Sequence, residues 1–124
     1  MSKTIVYISD LFAEDVVGGC ELNDKEMLFC LEKRGYNIIK VRSHFVDLAF
    51  LSRNINSFFI LSNFMNLKIE CLEKLTDLEY IIYEHDHKYL KNRNPAEYKN
   101  FEAPLHEIRN YFLYRNAKAV LCQT

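Results

Sequence analysis

Short runs of β-branched and aromatic residues, separated by stretches of helical periodicity, constrain this chain more than any single motif. "KTIVYIS" (3–9), "YNIIKVRS" (36–43), "SFFILSN" (57–63), "LEYIIYEH" (78–85) and "KAVLCQT" (118–124) read as strands. From about Glu21, the apolar residues Leu22, Met27, Leu28 and Leu31 recur at near-helical spacing. Gly35 then stands where a helix C′ residue belongs, just after Lys33 and Arg34. "FVDLAFLSRN" (45–54) reads as a short helix. "NLKIECLEKLTD" (66–77) reads as an amphipathic one with Leu67, Cys71, Leu72 and Leu75 inward. "PLHEIRNYFLYRNA" (104–117) opens with a proline suited to a first turn and carries Leu105, Ile108, Phe112 and Leu113 on one side.

Strands that alternate with helices, with nearly continuous apolar runs, mean βαβ units and a parallel sheet covered on both faces. Right-handed crossovers leave few arrangements. The expected fold is α/β, a doubly wound parallel sheet of about five strands in the order 3-2-1-4-5. At 124 residues the chain is a single domain. The last strand brings the chain to Thr124 with no closing helix, which predicts a domain incomplete at its C-terminal end.

Composition narrows the function classes. The net charge of −1 gives no general attraction to nucleic acid or to an anionic membrane. No apolar run approaches the roughly 20 residues that span a bilayer. "MSKTIVYISD" lacks a signal-peptide layout, because its short apolar core leads straight into an acidic residue. Cys20, Cys30, Cys71 and Cys122 never form C-x-x-C, and each reads as a small buried side chain in a reducing compartment. A cytoplasmic protein is expected.

In open parallel sheets ligands bind beyond the carboxyl ends of the strands. Those positions are Gly18 and Gly19 after strand one, Ser43 and His44 after strand two, and Ser62 and Asn63 after strand three. His85, Asp86 and His87 follow strand four, and Gln123 and Thr124 follow strand five. "VVGGCE" (16–21) precedes a helix, so its glycines suit either a close approach to a phosphate or a tight turn. His85 and His87 share a face of an extended strand. They fit a metal-binding pair, a substrate contact, or plain hydrogen bonding to strand-end backbone; as a metal site they would have only His44 to add. The long connection from Asp86 to Ala103 interleaves Lys88, Lys91, Arg93 and Lys99 with Tyr89, Tyr98 and Phe101. That pattern suits phosphates and bases, or a solvated loop pinned by its aromatics. His106 falls in the last helix, as a surface residue, and no serine lies in a G-x-S-x-G elbow.

In their order and spacing these pieces resemble the N-terminal domain of a GT-B-fold glycosyltransferase of the family-four type. The matching residues are Gly18-Gly19-Cys20-Glu21, Leu31, Arg34-Gly35-Tyr36, Ile38 to Val41, His85-Asp86 after strand four, and Ala117, Ala119, Val120, Leu121 and Cys122. The resemblance spans nearly the whole chain. It implies a Rossmann-like, acceptor-binding domain of a nucleotide-sugar-dependent transferase, inactive without a second, donor-binding domain in the same or a separate chain. Gly18 and Gly19 would lie beside the donor diphosphate, His85 would approach the transferred sugar, and Asp86 would orient it. Glu21 closes the matched motif and joins the substrate-side set, as do His44 and His87 from their place on the rim. The partners implied are a sugar acceptor and the donor domain. No cofactor or metal is implied, because the nucleotide sugar is a substrate. A stand-alone binding module and a metal-dependent hydrolase built on His85 and His87 are the competing expectations.

Overall fold

The computed structural model describes residues 3–10, 12, 19–84 and 111–122. In chain order its elements are β1 (Thr4–Ser9), α1 (Gly19–Lys33), β2 (Asn37–Arg42), a 3-10 turn (Ser43–Phe45) and α2 (Leu48–Arg53). Then come β3 (Phe58–Leu61), α3 (Ile69–Leu75), β4 (Tyr80–Glu84), α4 (Tyr111–Asn116) and β5 (Val120–Cys122). All five strands pair in parallel, so the α/β doubly wound reading holds.

The order is β2-β1-β3-β4-β5, which corrects the expected 3-2-1-4-5. Residue chemistry explains the difference. β2 carries Asn37 and Lys40 exposed, and such positions are tolerated at a sheet edge. β3 is the unbroken apolar run Phe58-Phe59-Ile60-Leu61, nearly all of it buried, and it takes the interior place between β1 and β4. β1 is buried from Ile5 to Ser9 and pairs on both sides.

Alternate residues of β1 feed two cores, as a pleated strand requires. Val6 and Ile8 join Phe59, Leu61, Tyr80 and Ile82 against α2, α3 and α4. Ile5, Tyr7 and Ile60 pack with Leu28 of α1 and with Phe12, which precedes the helix. The inward residues expected on α3, Leu67, Cys71, Leu72 and Leu75, are all buried. Burial of each such side chain contributes roughly 1.5–3 kcal/mol. Apolar surroundings also push the Cys71 thiol above its ordinary range. Tyr80 donates its hydroxyl to the Leu113 carbonyl, stitching α4 to β4, and burial pushes its phenol up to about 12.

The helix ends follow local chemistry. Gly35, at φ 89°, closes α1 in a Schellman motif: its N–H bonds Glu32 O at 3.0 Å, and Tyr36 N–H bonds Leu31 O at 3.3 Å. Asp47 caps α2 by accepting from Phe50 N at 2.8 Å. One expectation for a side chain fails on α1: Cys30 is exposed rather than buried. Leu22 is 46% exposed. The inward positions are instead Asp24 and Leu28, with Met27 and Leu31 half-buried, so the buried stripe is rotated away from Leu22. Among the described residues no helix is long and apolar enough to cross a membrane.

Candidate substrate crevice at the strand ends

With β1 between β2 and β3, the connections leaving β1 and β3 diverge to opposite sides of the sheet. In open parallel sheets that switch point, beyond the carboxyl ends of the two strands, is where a ligand crevice is expected. Ser9 ends β1 and Asp10 follows it, while Ser62 and Asn63 follow β3. The parallel ladder runs one step past β3, where Ser62 N–H bonds Ile8 O at 2.9 Å.

Beneath these strand ends lies a buried carboxylate. Asp24, on α1, is fully enclosed, and its Oδ1 accepts the Tyr7 and Ser62 hydroxyls at 2.5 Å each. Its Oδ2 accepts the Ser9 hydroxyl at 3.2 Å. Removing a charge from water is costly unless hydrogen bonds replace the solvent. Here three hydroxyls from two adjacent strands replace it. Tyr7 responds in kind: burial first, then the Asp24 charge and their hydrogen bond, push its phenol well above the ordinary range. The network pins α1 to β1 and β3 below the start of the helix.

A second carboxylate organises the rim. Asp10 accepts the Ser43 hydroxyl and the backbone N–H groups of Met65 (3.1 Å) and Asn66 (3.2 Å). One side chain therefore joins the ends of β1, β2 and β3. These two amides lie on the approach to α3, which begins at Ile69. A third carboxylate, Glu84, ends β4; it is buried and accepts the Tyr114 hydroxyl from α4.

The expected site residues are distributed unevenly over this frame. Gly19 is the first residue of α1, and Glu21 lies in its first turn. His44 is exposed in the turn after β2, its ring 4.2 Å from that of Phe45. Gly18, His85, Asp86 and His87 lie outside the described residues, as do His106 and the basic and aromatic segment 86–103. Because β1 and β3 separate β2 from β4, His44 stands three strand spacings, about 14 Å, from the end of β4. That distance takes His44 away from any ion held at the end of β4.

Asp10, Asp24 and Glu84 were not among the expected site residues. For Asp24 a signal existed: it shares the α1 face of Leu28 and Leu31, and an acidic residue on an inward stripe needs partners. Ser9 and Asp10, two polar residues directly ending a buried strand, were equally visible. Comparison of the chain with protein-family models, with curated proteins and with solved structures finds no match.

Proposed function

We propose that this chain is the acceptor-side, Rossmann-like part of a nucleotide-sugar-dependent glycosyltransferase of the GT-B type. A donor-binding domain, in the same or a separate chain, completes the enzyme. The observation that carries the reading is the switch point between β1 and β3 of a parallel sheet, to which the first half of α1 is tied through Asp24. β4 ends on the same rim at Glu84, directly before His85-Asp86 in the sequence.

In this reading the bond from the anomeric carbon to the donor diphosphate breaks, and a bond to an acceptor oxygen forms as that oxygen loses its proton. Backbone N–H groups at the start of α1 stabilise the charge that gathers on the departing diphosphate. His85 contacts the transferred sugar, and Asp86 orients the imidazole. Asp24 and Asp10 act at a distance from the chemistry, the first fixing α1 and the second fixing the rim loops. The metal-dependent alternative is weakened by the place of His44, which the strand order separates from β4.

The test is His85→Ala in the chain joined to its donor-binding domain. Turnover should fall at least tenfold while the melting temperature stays within about 2 °C, because a side chain that acts on substrate contributes little to stability. Intact turnover with a large loss of stability would assign His85 a structural role. The chain alone should show no turnover with any of a panel of nucleotide sugars.

A further inference from the structure

The outward face of α1 is not the polar surface expected of a solvent-facing helix. Leu22, Glu26, Phe29 and Lys33 follow one another at spacings of four, three and four residues, which places them in a single stripe. Leu22 is 46% exposed and Phe29 63%, while Asp24 and Leu28 on the opposite side are buried. Beside Phe29 lies a surface hollow lined by Leu22, Asn23, Lys25, Glu26 and Cys30. A large apolar knob and an adjoining hollow thus occupy the same helix face. Lys33 extends over the Phe29 ring, its ammonium 5.4 Å from the centroid.

We propose that this face binds a second copy of the chain, with the two α1 helices antiparallel about a two-fold axis. In that arrangement Phe29 of each copy meets the level of Glu26 in the other and seats in the hollow. Charge fixes the direction. Lys25 and Glu32, both exposed, lie seven residues apart on one flank of the stripe. Antiparallel pairing brings Lys25 of one copy against Glu32 of the other, twice by symmetry. Parallel pairing would instead set Glu26 against Glu26 and Lys33 against Lys33. The contact is small, so the dimer is weak and depends on concentration. It leaves the strand-end crevice open, because the stripe points away from the sheet.

Sedimentation equilibrium over a concentration series reaching millimolar tests the proposal. The full chain should shift from monomer to dimer. Phe29→Ser should weaken association about tenfold or more, and Leu22→Ser, on the same stripe, should also weaken it should the first variant fail to fold. Lys25→Glu should weaken association too, and adding Glu32→Lys to it should restore the dimer. A chain that stays monomeric throughout, a dimer indifferent to both serine variants, or a double charge reversal that fails to restore association would overturn it.

Discussion

Tyr7 and Asp24, seventeen positions apart, meet at 2.5 Å in the interior, where the phenol donates to the carboxylate. This contact fixes the depth of α1 against the sheet just below the point where a ligand would enter. It turns a sequence-distant pair into the floor of the candidate crevice, and Ser9 and Ser62 complete it.

Asp24→Ala removes the charged acceptor shared by three buried hydroxyls, and a hydrogen bond to a charged group contributes about 1.5–3 kcal/mol. A loss of about 3 kcal/mol or more is expected in urea denaturation. Asp24→Asn keeps one acceptor oxygen and should cost less. A double-mutant cycle with Tyr7→Phe should return a coupling above about 1 kcal/mol. Additive effects would mean that the two side chains do not act together.

Asp10→Ala should affect the rim rather than the core. The Met65 and Asn66 amides lose their acceptor, so their hydrogen exchange should speed up while the Tyr36 amide, at the end of α1, is unchanged. Stability should fall by about 2 kcal/mol, the scale of hydrogen bonds to a charged group.

Alkaline pH should destabilise the fold. An unfolded tyrosine loses its proton near pH 10, whereas Tyr80 in the folded chain holds it to about 12, and the Tyr7 phenol is raised as well. Between those values the native state binds more protons than the unfolded state, so stability falls as pH rises. Below pH 10 the contribution is fully present. Each tyrosine contributes a slope of up to about 1.4 kcal/mol per pH unit. Chemical denaturation at stepped pH should show the decline beginning near 10, and Tyr80→Phe should make it shallower.

Gly35→Ala probes the backbone alone. A Cβ at this position would meet no atom within 4 Å, so the cost comes only from the φ of 89°. A loss of about 1–2 kcal/mol is expected, with no change at the crevice. A neutral result would show that the Schellman turn tolerates the strain.

Much of the fold was legible in the sequence because burial leaves a plain record in residue choice. The five apolar runs became five parallel strands, the Gly35 stop was met, and the buried face of α3 fell where its leucines predicted. The strand order was not read correctly, because the alternation of strands and helices leaves it open; the information lay in Lys40 and Asn37 on β2 against the apolar β3. Asp24 satisfies its charge inside through residues 15 to 38 positions away. Such long-range pairing has no local periodicity, and it hid the carboxylates from a reading centred on glycine and histidine.

The central claim is that the ends of β1 and β3 form a ligand crevice beside the start of α1. Amide chemical-shift titration of the chain with uridine and guanosine diphosphates tests it most directly. The account predicts perturbations concentrated at Gly19, Asp10 and residues 62–66, with none at Gly35 or residues 54–57 at the other end of the sheet. Perturbations gathered at that other end, or none up to millimolar nucleotide, would contradict it.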